Sequence, residues 1–483
     1  MAIDPGLRRL ALGTLLAAFT GSSAPDWAGA LLAEGLAGHT LFGTNVTDGD
    51  QVARLTAGLR TVRPDALIAI DEEGGDVTRL AHRTGSPYPG NAALGAVDDP
   101  DLTRRIYAAI GADLAAAGIN LDLAPTVDVN TAEDNPVIGT RSFGAEPSLV
   151  ARHAAAAIEG LQSAGVAACA KHFPGHGATT TDSHLALPTV DVPMETLRER
   201  DLPPFAAAIA AGARSIMTAH IRVPPLTGDA PATFSPAALH DLLRREYGFR
   251  GAIVTDALEM RGAQGVAGGI GPAAVSALAA GADLLCIGAR VDHELVELVA
   301  AEIVTAVGDG RLARRRLEDA ADRTAQLAAG THRPSQPPAH DADLGYAAAR
   351  RAVRIEGSLG DVKDPLVVQL ASGHSIAEGR VPWGLTPHLN GTESVTVVAA
   401  ETAPELLAER AGSRPIVVVG RHTHRSEPAR ALISALAARH TVAVVEMGWP
   451  SMWRPAGARA FLITYGASHA NGRAAAEALG LVR

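Results

Sequence analysis

Residues 166–172 read Val-Ala-Ala-Cys-Ala-Lys-His, a short apolar run that ends in lysine and histidine. Seven more short apolar runs lie in the first 290 residues, separated by Ala- and Leu-rich stretches of helical composition. In chain order the eight runs are 14–19, 40–43, 66–70, 119–124, 166–172, 214–219, 252–255 and 283–287. Continuous apolar runs that alternate with helical segments are typical of a parallel sheet buried on both faces. Eight such units favour a closed (β/α)₈ TIM-type barrel over an open doubly wound sheet.

A change in composition after the barrel predicts a second domain. Residues 332–343 read His-Arg-Pro-Ser-Gln-Pro-Pro-Ala-His-Asp-Ala-Asp, and we predict a proline-rich linker over 334–344. Five more apolar runs follow, at 366–370, 395–399, 415–419, 442–445 and 460–464. They also alternate with helical stretches. The predicted order is therefore a barrel over 1–333, the linker, and a smaller α/β sandwich over 345–483.

The charge balance and the apolar content exclude several classes of protein. The 483 residues carry a formal net charge of −10, and 47% of them are hydrophobic, so the chain is globular and not disordered. A mildly acidic chain without a basic run is not expected to bind nucleic acid. No apolar run reaches the roughly 18 residues of a membrane span. Cys169 and Cys286 each lie in an apolar run, which predicts buried thiols and no disulfide.

The N-terminal residues allow two interpretations. Arg8 and Arg9, followed by the apolar segment 10–19, resemble a secretory signal peptide. We favour a first strand that leads into a helix starting near Asp26, because this segment fits the regular strand–helix series. We therefore expect a cytoplasmic protein, with secretion left open.

Polar residues follow four of the predicted strands. The third run is followed by Asp71-Glu72-Glu73, the fifth ends in Lys171-His172, the sixth is followed by His220 and the seventh by Asp256. In a (β/α)₈ barrel, reactive groups lie where the strands run out into the following loops. These residues therefore predict an active site at the carboxyl ends of the strands.

The segment 171–184, Lys-His-Phe-Pro-Gly-His-Gly-Ala-Thr-Thr-Thr-Asp-Ser-His, is the densest in such residues. Its histidines could bind a metal together with His220 and Asp256, as in a metal-dependent barrel hydrolase. However, the first strand ends without a His-X-His pair, and this loop is rich in glycine. Alternatively, Asp182 could orient His184 and raise its pKa, which would form an acid–imidazole dyad. We favour the dyad and predict no metal and no cofactor.

The distribution of lysine singles out one further residue. Of the 42 basic residues, only Lys171 and Lys363 are lysines. A lysine that is kept inside an apolar segment is expected where a compact, titratable ammonium is needed. Lys171 is therefore a candidate for substrate binding, and an ion pair at the barrel mouth is the alternative explanation.

Taken together, these segments resemble glycoside hydrolase family 3, in its bacterial β-N-acetylglucosaminidase branch with a His-Asp dyad. The segment 171–184 followed by Pro188 is similar to the family's signature. The other matching motifs keep the family's order, at 70–75 with Arg79, 120–128, 135–144, 217–220 and 254–260. The predicted second domain resembles the family's C-terminal domain only in its general pattern.

The resemblance implies a retaining enzyme that forms a covalent glycosyl-enzyme. It implies that Asp256 is the nucleophile and that His184, assisted by Asp182, is the acid/base. The expected sugar-binding residues are Asp71, Arg79, Arg141, Lys171 and His172, to which we add His220. A carboxylate can trap the cationic anomeric carbon, and a histidine with a pKa of about 6.5 can donate a proton and later accept one.

Two positions depart from the family's pattern. Glu72 stands where glutamine is common, and Ala257 stands where a second aspartate is frequent. The second change leaves Asp256 without an acidic neighbour in the sequence, although neither change removes an expected role.

The low aromatic content, 4% of residues, argues against a long cleft lined with stacking platforms. A pocket for one terminal sugar is more consistent with it. We therefore expect an exo-acting β-N-acetylglucosaminidase that hydrolyses terminal β-linked N-acetylglucosamine from an oligosaccharide or glycoconjugate. Three alternatives stay open: a metal-dependent barrel hydrolase, a degenerate sugar-binding barrel, against which the presence of Asp256, Asp182 and His184 argues, and phosphorolysis at the same site. Histidine, unlike a carboxylate acid/base, would not repel an incoming phosphate.

Overall fold

The computed structural model describes residues 4–289, 291–331, 341–360 and 362–482. These residues form two compact units. The first comprises Met1–Glu73, Pro100–Ile138 and Gly144–His340, and the second comprises Gly74–Asp99, Gly139–Phe143 and Asp341–Arg483.

The first unit contains eight parallel strands: β1 Leu15–Ala18, β2 Gly38–Leu41, β3 Leu67–Ile70, β4 Leu121–Asp122, β5 Ala167–Phe173, β6 Ser215–Thr218, β7 Ala252–Thr255 and β8 Leu285–Cys286. Each strand from β1 to β7 pairs in parallel with the next, and β8 pairs with β1. A parallel bridge between Val254 and Leu284 completes the ring. The predicted (β/α)₈ barrel is therefore confirmed, and each of its strands overlaps a predicted run.

The second unit contains a six-stranded sheet made of β9 Arg354–Gly357, β10 Leu366–Leu370, β11 Ser394–Val397, β12 Ile416–Gly420, β13 Val442–Glu446 and β14 Ala460–Ile463. The strand order is β11-β10-β12-β13-β14-β9, and only β9 is antiparallel to its neighbour. The predicted α/β sandwich is confirmed, whereas β9 was not predicted.

The α-helices, in chain order, are α1 Pro5–Leu12, α2 Asp26–Glu34, α3 Gly49–Val62, α4 Asn91–Val97, α5 Pro100–Ala116, α6 Pro147–Ser163, α7 Met194–Arg200, α8 Pro203–Ala210, α9 Pro224–Thr227, α10 Arg261–Ala267, α11 Ile270–Ala280, α12 His293–Gly308, α13 Arg314–Ala329, α14 Leu344–Ala352, α15 Pro404–Ala411, α16 Glu427–Ala437 and α17 His469–Ala478. A π-helix spans Ala237–Glu246. Several helices begin where an aspartate accepts a hydrogen bond from a backbone N–H of the first turn, such as Asp48 at α3 and Asp292 at α12.

The N-terminal segment follows the favoured prediction. Arg8 and Arg9 lie in α1, and the apolar residues after them divide between α1 and β1. The helix predicted to start near Asp26 is α2. In the described residues no single helix is long and apolar enough to cross a membrane, although α10 and α11, bent by 95°, meet the criteria as a pair.

The barrel interior is filled by small and branched apolar side chains, including Leu16, Ala69, Leu121 and Val254. Cys169 and Cys286 belong to the same cluster and are free thiols, as predicted. Burial raises the pKa of the Cys169 thiol to about 12, so this sulfur acts as an apolar packing group.

The two units differ from the consecutive domains that the sequence suggests. Residues 74–99 and 139–143 belong to the second unit although they lie within the predicted barrel range. Most of the predicted linker, 334–340, lies outside the described residues, and α14 begins at its last residue, Leu344. Apolar runs identify strands, but they do not show with which unit a polar loop packs.

A buried carboxylate links strands and helices at the amino-terminal end of the barrel. Asp283, fully buried just before β8, forms ion pairs with Arg244 and, at 2.6 Å, with Arg316. Its Oδ2 also accepts a hydrogen bond of 2.8 Å from the Ile253 N–H in β7. Asp283 thus joins β7, β8, α13 and the π-helix.

We expect Asp283→Ala to lower the free energy of unfolding by about 3–5 kcal/mol, because it leaves two partly buried guanidinium groups without their carboxylate. Chemical denaturation would measure the loss. Asp309→Ala, which removes an exposed carboxylate paired with Arg311, is the matched control and should change stability by less than about 1 kcal/mol. Equal effects of the two substitutions would show that the buried contacts of Asp283 contribute no more to the free energy of unfolding than one exposed ion pair.

Candidate active site

The predicted polar residues lie at the carboxyl ends of the barrel strands. Asp71 follows β3, Lys171 and His172 belong to the last part of β5, and Asp256 follows β7. His220 lies two residues after β6. Because neighbouring strands of the barrel are parallel, these side chains belong to the same end of the first unit.

Lys171 lies between two carboxylates. Its Nζ is 2.7 Å from Oδ1 of Asp71 and 2.8 Å from Oε1 of Glu73, and its side chain is only 2% exposed. The ion pair that the sequence left as an alternative therefore exists. Glu73 has the same low exposure, whereas Asp71 is more accessible, at 19%. The role of Glu73 was missed, because nothing in the run 71–73 shows which acid faces the lysine.

Asp128 fixes the turn that follows β5. Residues 125–128 run beside this strand, where the Val127 N–H donates to the Lys171 carbonyl over 2.7 Å. The Asp128 carboxylate contacts Nδ1 of His172 at 2.7 Å and accepts the backbone N–H of His176 at 2.6 Å. Burial raises the pKa of Asp128, but the two histidines outweigh that effect and lower it. An ionised Asp128 thus orients the His172 ring.

The middle of the 171–184 loop is tightly packed. His176 Nδ1 lies 2.6 Å from Oγ1 of Thr179, and its Nε2 lies 3.0 Å from Oγ of Ser183. Burial lowers the pKa of His176 to about 4, so the ring is neutral near pH 7. Gly177 approaches the backbone of Val129 so closely that a Cβ would lie 1.9 Å from the Val129 oxygen. These contacts support a role for His176 and Gly177 in loop geometry.

The predicted dyad forms at the end of this loop. Oδ1 of Asp182 is 2.7 Å from Nδ1 of His184 and accepts the backbone N–H of His184 at 2.9 Å. Burial raises the pKa of Asp182, but the hydrogen bonds from His184 outweigh this and lower it. The carboxylate therefore stays ionised and holds a proton on Nδ1, so that proton exchange with a substrate would use Nε2.

Asp256 is held by the backbone around it. Its N–H donates to the Thr218 carbonyl over 3.3 Å, and its Oδ1 accepts the Ala257 N–H over 2.8 Å. Burial acts to raise the pKa of Asp256. The nearby imidazoles of His220, His172 and His184 and the Ala257 N–H act in the opposite direction, and the net pKa is lowered. Asp256 is thus an ionised carboxylate at neutral pH.

His220 supports the loop that carries Asp256. Its Nε2 lies 3.1 Å from the Ala257 carbonyl, and its Nδ1 lies 2.8 Å from Oγ1 of Thr233. Burial lowers the pKa of His220, consistent with a neutral ring that donates from Nε2 and accepts from Thr233. Both nitrogens thus have protein partners and suit a positioning role, while sugar binding by His220 stays a prediction. No motif in the sequence points to Thr233, which lies in a separate 3₁₀ helix.

The two predicted sugar-binding arginines belong to the second unit. Arg79 donates to the carbonyl oxygens of Ala377 at 2.7 Å and Glu378 at 3.2 Å. Arg141 is 6% exposed, and its carbonyl accepts a hydrogen bond of 2.7 Å from Nδ2 of Asn91. Both arginines therefore make hydrogen bonds within the second unit, Arg79 through its side chain and Arg141 through its backbone carbonyl.

The four histidines of the candidate site each have their own protein partner. His172, His176, His184 and His220 each contact a different acid, hydroxyl or carbonyl group. Across the described ranges, no group of three or more His, Cys, Asp or Glu side chains is arranged to hold a metal ion. The site therefore combines buried carboxylates with a separate Asp182–His184 pair. This arrangement suits acid–base and nucleophilic chemistry.

Comparison with known proteins gives a family model and curated relatives that match more than half of the chain. The Glycosyl hydrolase family 3 N terminal domain model matches residues 16–327. The β-hexosaminidase of Stenotrophomonas maltophilia (strain K279a) is 38% identical over 303 residues, covering 60% of this chain and 88% of the relative. The β-hexosaminidase A of Pseudoalteromonas piscicida is 35% identical over 317 residues, which are 60% of this chain and 53% of that relative's length.

A solved structure resembles the chain beyond the barrel. The glycoside hydrolase family 3 β-N-acetylglucosaminidase from Paenibacillus sp. strain FPU-7 is 32% identical, with a TM-score of 0.88. The match covers 99% of this chain and 97% of that one, so it includes both units. Since the family model also matches more than half of the sequence, this chain belongs to glycosyl hydrolase family 3.

Proposed function

We propose that this protein is a retaining, exo-acting β-N-acetylglucosaminidase that hydrolyses terminal β-linked N-acetylglucosamine. The observation that carries the proposal is the Asp182–His184 pair, joined at 2.7 Å, in the same barrel unit as the ionised Asp256. The names of the two bacterial relatives and of the Paenibacillus structure support the choice of sugar. The substrate would be an oligosaccharide or glycoconjugate.

In the first step, a carboxylate oxygen of Asp256 attacks the anomeric carbon as the bond to the glycosidic oxygen breaks. His184 gives the proton on Nε2 to that oxygen, so the aglycone leaves as an alcohol. The ionised Asp182, 2.7 Å from Nδ1, stabilises the imidazolium before transfer and keeps the ring oriented. The sugar is then covalently attached to Asp256.

In the second step, water attacks the same carbon from the face that the aglycone has left. The neutral His184 accepts a proton from this water at Nε2, and the bond to Asp256 breaks. The two inversions retain the anomeric configuration, and the enzyme returns to its starting protonation state.

Asp71, Glu73 and Lys171, here named the Lys171 cluster, provide the polar surface for the sugar hydroxyls. Asp71, Glu73 and Lys171 together carry one net negative charge, and Asp71 is the member with the more accessible carboxylate. The Asp71 carboxylate can accept a hydrogen bond from a sugar hydroxyl, while Lys171 fixes the position of that carboxylate. We propose that His172, oriented by Asp128, and the arginines of the second unit complete the sugar contacts.

The proposal is tested by assaying nitrophenyl β-N-acetylglucosaminide and nitrophenyl β-glucoside in phosphate and in phosphate-free buffer, with and without chelator. We expect N-acetylglucosamine as the product, preference for the N-acetylated substrate and no effect of chelator. Predominant sugar 1-phosphate at millimolar phosphate would show a phosphorylase, and loss of activity with chelator would show a metal-dependent enzyme.

Asp256→Ala should abolish hydrolysis even of activated aryl glycosides, because the site loses the carboxylate that forms the covalent intermediate. A slow fluorosugar should label Asp256 in the wild-type enzyme, and peptide mass spectrometry would locate the label. A label on another carboxylate would remove the assignment of the nucleophile.

His184→Ala should slow substrates with poor leaving groups by about 10²–10⁴-fold and nitrophenyl substrates much less, since only the former need protonation. Asp182→Ala should show the same pattern more mildly, through loss of orientation. His240→Ala, at an exposed histidine paired with Asp241, is the control and should leave both rates unchanged. If His184→Ala slowed both substrate types equally, His184 would not be the acid/base.

Lys171→Arg should lower kcat/KM on the order of 10²-fold with a near-normal Tm, because a guanidinium does not fit the compact corner between Asp71 and Glu73. The only other lysine in the sequence provides the matched control, and Lys363→Arg at that exposed position should be neutral. If Lys171→Arg had wild-type kinetics, the role of Lys171 would be purely structural.

A further inference from the structure

A buried carboxylate joins the three separate segments of the second unit. The side chain of Asp76, 3% exposed, lies in segment 74–99. Its Oδ2 accepts the Thr140 hydroxyl at 2.7 Å, and its Oδ1 accepts the Ala467 N–H at 2.7 Å. Thr140 belongs to segment 139–143 and Ala467 to the C-terminal segment. One carboxylate thus fixes two barrel-derived loops on the α/β sandwich.

Arg421 supplies the counter-charge. It follows β12, and its guanidinium is 3.2 Å from Asp76 and 2.9 Å from Glu378, with the side chain only 8% exposed. The guanidinium also lies over the Trp383 ring, 5.6 Å from its centroid. Arginine is suited to this position because its planar fork can contact two carboxylates and an aromatic face at once.

The two predicted sugar-binding arginines are adjacent to this cluster in the chain. Arg141 immediately follows Thr140 in the 3₁₀ helix Gly139–Arg141. Arg79 lies three residues after Asp76, and it donates to the carbonyl oxygen of Glu378, whose carboxylate contacts Arg421. A shift of the cluster would therefore move the backbone on which both arginines stand.

We propose that Asp76, Thr140, Glu378 and Arg421, here named the Asp76 cluster, position Arg79 and Arg141 for binding of the sugar. The inference rests on the proposed function, because sugar binding by these arginines is part of it. In this proposal the four residues act on the sugar through Arg79 and Arg141. Thr140 and Arg421 are accordingly positioning residues.

Thr140 allows the sharpest test, since its hydroxyl can be removed without loss of volume. Thr140→Val should raise KM for nitrophenyl β-N-acetylglucosaminide on the order of tenfold, with a smaller change in kcat. The reason is that the buried hydrogen bond from Thr140 to Asp76 is lost, so the contacts of the Asp76 cluster become weaker. Thr140→Ser keeps the hydroxyl and should restore most of the affinity. Arg421→Met should have the same effect or a larger one.

A double-mutant cycle separates positioning from general stability. Arg141→Ala should raise KM, and adding Thr140→Val to it should raise KM by less than Thr140→Val does alone, because only Arg79 then remains to be positioned. Arg410→Met, which removes an exposed ion pair with Glu393 in the same unit, is the control and should not change KM. Tm values of all variants would be measured alongside.

The outcomes are distinguishable. No effect of Arg141→Ala would overturn the assignment of Arg141 as a sugar ligand, and with it this part of the proposed function. A clear effect of Arg141→Ala with wild-type KM for Thr140→Val would overturn the positioning inference alone. So would fully additive effects in the double variant, or a Thr140→Ser enzyme as impaired as Thr140→Val.

Discussion

The buried carboxylate of Asp128 is the contact on which the active-site loop depends. It accepts the His176 N–H and contacts the His172 ring, so it holds the chain just beyond β5. From there the His176 ring contacts Thr179 and Ser183, and the Ser183 carbonyl accepts the Gly262 N–H at the start of α10. A continuous set of hydrogen bonds thus connects the end of β5 to the Asp182–His184 pair and to the helix that follows Asp256. Without Asp128, the chain just beyond β5 would lose its contacts with the His172 ring and the His176 N–H.

The sequence predicts the strands well because burial on both faces requires continuous apolar runs, and β1 to β8 are buried throughout. It fails for β9, where the exposed residues Arg-Ile-Glu-Gly form an antiparallel edge strand without such a run. The family motifs predict which residues are reactive. They do not identify partners such as Glu73, Asp128 or Thr233, because a partner is determined by three-dimensional approach and not by spacing along the chain.

The same limit explains the division into two units. The loops that carry Arg79 and Arg141 are flanked by barrel strands in sequence, so composition assigns them to the barrel. Their polar groups are satisfied in the second unit, through Asp76 and the carbonyl oxygens of residues 377 and 378. Burial of a polar group requires a partner, and the location of that partner determines where the loop belongs.

Two aspartates of the barrel, Asp122 at the end of β4 and Asp256 after β7, show that environment, and not residue type, sets the pKa of a carboxylate. Asp122, at the end of β4, is fully buried, and burial together with nearby carboxylates such as Glu72 raises its pKa well above the ordinary value. Three nearby imidazoles and a backbone N–H stabilise the ionised form of Asp256, and they lower its pKa although burial acts to raise it. Asp122 accepts the Glu72 N–H at 2.9 Å, whereas the lowered pKa of Asp256 makes that carboxylate an anion at neutral pH. Only an ionised carboxylate can both stabilise and capture an oxocarbenium-like centre, which supports the proposal that Asp256 forms the glycosyl-enzyme.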